Sequence, residues 1–452
     1  LRRLVVTLAL AASCATAPPA PDATPDVSPD VSPDATPDVT STLDATPTPD
    51  VVTDIAVDAT PDIAADASAP PDAAPAADTL TLVLFRAPDN TPAGAAIHVA
   101  GTFNGWAPDD PRTRLTPGPN GTLSVRVAGL TAGQRVEFKF TRGSWATVER
   151  ADGGADITNR VVTFDPAHPI AALFVERWAD LGAPATTRSG AVRVLRDVAV
   201  PQLARTRNVW VYLPPGHDTS GARYPVTYMF DGQNLFDARA SAFGREWRVD
   251  EALEALYYEG DLPGVIVVGV ENSSSRGCEY NVFASDPHPA CSAGSALGDQ
   301  TIAFFVDTLK PRVDGEFRTL TAAESTAVAG SSMGGSMAVR AGFSRPDVFS
   351  RVAALSPSYQ NTLAAAPAMP AYVRAPRAAR PQRLYQDIGG AEQIREIGPA
   401  VLARNMMAVR DAARDAGLTD GAQRALVIDG ATHDEGAWAA RIRGVLRWLW
   451  AP

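Results

Sequence analysis

Gly330-Ser331-Ser332-Met333-Gly334 sets a serine midway between two glycines. Small residues on both sides permit a tight, strained turn. The apolar run Ser325 to Ala329 before it and the helical stretch after Gly335 place that turn between a strand and a helix. A hydroxyl held up on such a turn is a nucleophile once a base can take its proton. The plainer alternative, a glycine-rich turn with a capping serine, does not account for the strand and helix on either side.

A nucleophile elbow on a parallel sheet is followed in the chain first by an acid and then by a histidine. The chain has His98, His168, His217, His288 and His433, and only His433 follows Ser332. It stands in Asp429-Gly430-Ala431-Thr432-His433-Asp434-Glu435, directly after the strand-like run Ala425 to Ile428. The acid should follow the penultimate strand, which leaves Asp387 and Glu392. Asp387 falls within the strand end and Glu392 in the loop beyond, so Glu392 is preferred and Asp387 is the alternative. The oxyanion of an acyl-transfer intermediate needs two backbone donors. Met333 offers one, and Gln233, with Gly232 beside it after the strand Val226 to Phe230, offers the second. Metal and cofactor are not expected, because no His or Cys cluster has ligand spacing and no Walker-type phosphate loop is present.

The surrounding pattern assigns this apparatus to one of several units. Across residues 193–452 strand-like apolar runs alternate with helical ones, which predicts a mostly parallel, doubly wound sheet covered on both faces. Residues 79–175 instead carry short alternating runs (Leu80 to Phe85, Ala96 to Ala100, Thr122 to Val127, Arg135 to Phe140, Val161 to Phe164), the pattern of an all-β immunoglobulin-like sandwich. Residues 176–192 connect the two. Residues 15–78 repeat Ala-Thr-Pro-Asp and Val-Ser-Pro-Asp units, with thirteen Pro and thirteen Asp and no Lys, Arg or Glu. Such a segment cannot build a core and is expected to be a disordered, extended linker.

Charge sorts the same way. The formal net charge of -11 is more than supplied by that acidic linker, and residues 79–452 balance to zero. A neutral folded part argues against a nucleic-acid partner. Leu1-Arg2-Arg3 followed by Leu4 to Ala12 has the charged and apolar regions of a secretory signal over residues 1–14, too short an apolar run to span a bilayer. Ala11-Ala12-Ser13-Cys14 resembles a lipobox, with Ala11 where Leu is usual, and predicts lipidation of Cys14 as the one membrane contact. The expected location is extracytoplasmic, as a bacterial surface or periplasmic lipoprotein or else secreted. In such a compartment Cys278 and Cys291 are expected to form a disulfide.

Two resemblances extend this reading. Val211-Tyr212-Leu213-Pro214-Pro215-Gly216, Met229 to Phe236, Gly330 to Gly335, Leu355-Ser356-Pro357-Ser358 and His433 to Trp438 resemble the "putative esterase" family of α/β-hydrolases. That family includes esterase D, feruloyl and acetylxylan esterases, enterochelin esterases and mycolyltransferases. Gly101-Thr102-Phe103-Asn104-Gly105-Trp106, Val136 to Phe140 and Gly143-Ser144-Trp145 resemble the early-set glycogen- and starch-binding modules. The second resemblance implies a sugar platform of Trp106, Trp145 and Lys139; the bland reading has both tryptophans as packing residues. The Cys278 to Cys291 insertion departs from the family pattern and is expected to rim the site, with Arg276 and Glu279 as substrate contacts or as ordinary surface charges.

Together these imply a serine carboxylic ester hydrolase working through an acyl-enzyme. The expected substrates are feruloyl or acetyl esters on polysaccharide, with glucan or xylan bound by the N-terminal module. The alternatives are a siderophore trilactone esterase, an acyltransferase, and a surface carbohydrate-binding protein with a relic hydrolase domain.

Overall fold

The computed structural model describes residues 77–291, 295–363 and 365–451. The signal, Cys14 and nearly all of the linker lie outside the described residues. The described residues form one compact unit.

Its N-terminal part is a β-sandwich. The strands are β1 (Leu80–Arg86), β2 (His98–Gly101), β3 (Thr116–Pro117), β4 (Leu123–Val127), β5 (Arg135–Thr141), β6 (Glu149–Arg150), β7 (Arg160–Thr163), β8 (Ile170–Phe174) and β9 (Arg177–Trp178). They form sheets of order β3-β4-β1-β8 and β2-β5-β7, with β6 and β9 as a separate pair. Alternate residues of β1 (Leu80, Leu82, Leu84) and β5 (Val136, Phe138, Phe140) face one shared core that also holds Trp178. β8 pairs parallel to β1, closing the sheet with a strand that the alternation of the sequence did not single out.

The larger sheet contains β10 (Ala191–Val200), β11 (Arg205–Leu213), β12 (Val226–Phe230), β13 (Ile266–Val270), β14 (Thr326–Ser331), β15 (Arg351–Leu355), β16 (Arg383–Gly389) and β17 (Gln423–Ile428). Its order is β10-β11-β13-β12-β14-β15-β16-β17. From β13 onward neighbours are parallel, whereas β10–β11 and β11–β13 are antiparallel. This is an α/β-hydrolase sheet, mostly parallel as expected. The helices are α1 (Val249–Tyr258), α2 (Arg276–Glu279), α3 (Gly298–Ala303), α4 (Lys310–Glu316), α5 (Met333–Ser344), α6 (Met369–Arg374), α7 (Pro399–Asp415) and α8 (Glu435–Trp450). No described helix is long and apolar enough to cross a membrane.

The central strands are buried on both faces, which is why their sequences read as continuous apolar runs. Their side chains divide with a period of two. Tyr228, Val268, Val328 and Val352 join one core with Phe305, Met337 and Met406, while Met229, Val267, Ala329 and Ala353 join another with Leu256, Ile442 and Leu449. Each fully buried Leu, Ile or Met is worth about 1.5–3 kcal/mol, so the two layers fix the sheet that carries the site.

The sandwich packs on the larger sheet's helical layer through polar and aromatic contacts. The Ala172 amide donates to Glu259 Oε1 at 3.1 Å, Arg239 donates twice to Asp152, at 3.0 and 2.7 Å, and Phe85 stacks on Tyr258.

Candidate active site

Four loops leave the C-terminal ends of parallel strands and converge, the edge at which open α/β sheets place ligands. Ser332 follows β14, Asp231 to Asn234 follow β12, Glu392 follows β16 and His433 follows β17.

Ser332 has φ 53° and ψ -125°, and caps α5. Such a backbone costs a non-glycine residue about 1–3 kcal/mol and persists only where the surroundings impose it. Here its N–H donates to Leu355 O and its carbonyl accepts from the Ser358 and Gly335 amides, at 3.0, 3.0 and 3.1 Å. Glycine is needed on both sides. A Cβ on Gly330 would lie 2.5 Å from Gly334 O, and one on Gly334 would lie 3.0 Å from the Phe230 Cβ.

His433 and Glu392 are brought together: Nδ1 is 3.0 Å from Glu392 Oε2. Their two loops are also tied by backbone, since the Gly390 and Ala391 amides donate to Ile428 O (2.7 Å) and Ala431 O (3.0 Å). A Cβ on Gly389 would sit 2.2 Å from Ala431 O, so the approach depends on glycine there. The second Glu392 oxygen accepts from the Gly389 amide (2.6 Å) and the Ser356 hydroxyl. Ser356 Oγ in turn accepts from Trp438 Nε1 (2.9 Å) and Arg441 (2.6 Å). The Trp438 ring stands edge-on to the imidazole at 5.1 Å.

Asp387, the alternative acid, does not contact His433. It forms an ion pair with Arg441 at 2.9 Å and accepts from Tyr385 Oη at 3.0 Å. Burial raises its pKa above the usual carboxylate value, against the pull of Arg441.

Ser332, His433 and Gln233 line one cavity of about 530 Å³. Ser332 Oγ is 3.2 Å from Ser358 Oγ and, among the described residues, makes no hydrogen bond to His433. Nucleophile–base hydrogen bonds often tighten only when substrate binds. The Met333 and Gln233 amides have no hydrogen-bond partner among the described residues, as donors for an oxyanion require. Gly232 allows this, because its Cβ would lie 2.3 Å from the Gly269 carbonyl carbon.

Phe243 and Glu435 line this cavity without a distinct signal in the sequence, whereas Arg276 is one of the expected contacts. Arg276 is fixed by two bonds of 2.8 Å to Asp231, itself in a left-handed conformation at φ 59°. It lines the cavity, whereas Glu279 is buried against Arg207 and Arg205 and is neither a cavity residue nor a surface charge. Glu435 is also in the cavity wall, and burial raises its pKa. Phe243 on the rim is 69% exposed. Cys278 and Cys291 are joined by a disulfide.

A family model described as "Putative esterase" matches residues 201–449, more than half of the chain. The chain belongs to this esterase family. The esterase is 23% identical over 255 residues to the uncharacterized protein YbbA of Bacillus subtilis, covering 55% of this chain and 94% of that one. It is 47% identical over 100 residues to an alpha-amylase of Niallia circulans, which is 22% of this chain but only 8% of the amylase. Among solved structures, a ferulic acid esterase aligns with TM-score 0.44 and 20% identity, covering 57% of this chain and 98% of that one. The enterobactin esterase of Shigella flexneri aligns with TM-score 0.45 and 16% identity, covering 82% and 92%.

The N-terminal sandwich carries the three residues of the expected sugar platform. There Trp106 and Trp145 have ring centroids 6.4 Å apart and share an open recess of about 390 Å³ with Lys139 and Asn159. Lys139 Nζ donates to Ile157 O at 2.6 Å. For metal ions, the described residues contain one converging carboxylate group, Glu246, Asp250 and Glu251, outside the Ser332 cavity.

Proposed function

We propose that this esterase is an extracytoplasmic serine hydrolase that removes feruloyl or acetyl groups from polysaccharide through an acyl-enzyme. The observation that carries the reading is His433, paired with the buried Glu392, in the same cavity as the strained Ser332.

Ser332 Oγ attacks the ester carbonyl carbon while His433 Nε2 takes its proton. Glu392, bonded at Nδ1, orients the ring and stabilises the imidazolium without becoming protonated. The carbonyl oxygen, now anionic, is held by the Met333 and Gln233 amides. Collapse breaks the C–O bond, and the alcohol leaves with the proton from Nε2. Water then gives a proton to Nε2, attacks the acyl carbon and releases the acid, with the proton returned to Ser332. A sugar hydroxyl in place of that water would give acyl transfer.

The disulfide between Cys278 and Cys291 supports an oxidising compartment. The Trp106 and Trp145 rings with Lys139 suit a pyranose, whose apolar face stacks on indole while its hydroxyls bond the ammonium. Product release from acetylated xylan, methyl ferulate and a catecholate trilactone tests the substrate. The reading expects the first two to be cleaved at much higher kcat/KM, and a preference for the trilactone overturns it.

A further inference from the structure

The junction of sandwich and esterase domain holds a cluster that the acyl-enzyme reading leaves unused. Glu246 precedes α1, and Asp250 and Glu251 are in its first turn. Their exposures are 6%, 0% and 3%, and one carboxylate oxygen of each lies within 4.8 Å of the others.

Carboxylates in a helix's first turn are ordinary, but these lack the donors that burial demands. Glu246 Oε2, Asp250 Oδ1 and both Glu251 oxygens have no hydrogen-bond partner among the described residues. Ser189, in the segment joining the domains, donates its N–H to Asp250 at 2.6 Å, while its own buried hydroxyl is also unpartnered. Arg86 of β1 brings Nη2 to 3.3 Å from Glu251 Oε1, without hydrogen-bond alignment. Of the other nearby arginines, Arg248 pairs with Glu176 and Arg239 with Asp152, while Arg245 lines the adjoining cavity. Arg86 is thus the one guanidinium within ion-pair distance of the three carboxylates among the described residues. An uncompensated buried charge costs several kcal/mol, so carboxylates this close either keep protons or share a cation.

We propose that Glu246, Asp250 and Glu251 bind a hard divalent cation, calcium, which ties α1 to the segment entering the esterase domain. Calcium takes six to eight oxygen ligands at about 2.3–2.6 Å, so two ligands across it are about 4.8 Å apart, the reach of this cluster. The Ser189 hydroxyl and water complete the shell. A cavity of about 550 Å³, whose wall holds Asp152, Glu176 and three arginines, reaches the cluster at Glu246. The role is structural, since Ser332 and His433 line a different cavity.

The test uses the full chain stripped with a chelator. Terbium, excited through the buried Trp247 next to Glu246, should give a saturable luminescence displaced by calcium, with one site per chain. Calcium should bind with a dissociation constant on the order of 10⁻⁴ M or tighter and raise Tm by about 2 °C or more. Glu251→Gln and Asp250→Asn should each abolish both responses while hydrolysing a small soluble ester at the wild-type rate, which shows that they are folded. Glu246→Gln is the milder variant should either fail to fold. A wild type without a saturable response to calcium, magnesium or manganese up to about 10 mM overturns the proposal. So does an undiminished response in the folded variants, and so does a chelated Glu251→Gln protein that is more stable than a wild type that binds no ion.

Discussion

Arg441 and Asp387 form an ion pair at 2.9 Å with both side chains at least nine-tenths buried. The same guanidinium donates to Ser356 Oγ, which donates to Glu392. Asp387 therefore supports the group that holds Glu392, and does not itself contact His433.

The two carboxylates should separate by mutation. Glu392→Gln should lower kcat by about 10³–10⁴ at nearly unchanged Tm, because the amide can fix the wrong tautomer of His433. Asp387→Asn leaves Arg441 buried without its partner, which costs about 3–5 kcal/mol of stability, and the folded fraction should keep most of its turnover. Paired melting curves and active-site-normalised kcat values check both.

Gly232→Ala tests the second oxyanion donor. Its methyl would meet the Gly269 backbone at 2.3 Å, so the Gln233 amide must shift. Loss of one such donor costs about 10²–10³ in kcat, with KM little changed. Steady-state kinetics on a soluble ester reads both constants.

The sandwich should act on polymer and not on small substrates. Trp106→Ala or Trp145→Ala should weaken binding to soluble glucan or xylan about tenfold, the equivalent of about 1.4 kcal/mol of lost stacking. Hydrolysis of p-nitrophenyl acetate should not change. Affinity electrophoresis beside a small-ester assay makes the comparison.

Stability should fall as pH rises from 5 to 7. Burial raises the pKa of Glu254 from 4.5 to about 7, so between these values the folded chain binds more protons than the unfolded one. The sign is opposite to that of a salt-bridged carboxylate. Glu254→Gln should flatten the slope of Tm across this window and raise Tm at pH 7, read by calorimetry at constant ionic strength.

The strained turn at Ser332 and the loop position of His433 are legible because each rests on local grammar: a turn that needs glycine, and the one histidine after it. The choice between Glu392 and Asp387 was harder, because residues five apart at one strand end differ only in direction. In β16 Asp387 points toward α8 and Arg441, which no spacing reveals. β10 lies mostly within the expected hydrolase domain but does not stand out as a strand, since Arg193, Arg196 and a left-handed Asp197 interrupt its alternation. The Glu246, Asp250 and Glu251 group escaped notice because acids at a helix start are common, and only the folded chain shows that these are buried without donors.

The central claim is covalent chemistry at Ser332. Intact-mass spectrometry of the enzyme mixed with p-nitrophenyl acetate and quenched within the first turnovers should show one added acetyl group, mapped to the peptide that carries Ser332. Ser332→Ala should show no adduct and lose at least about 10³ in kcat. An adduct elsewhere, or turnover retained in Ser332→Ala, would contradict the account.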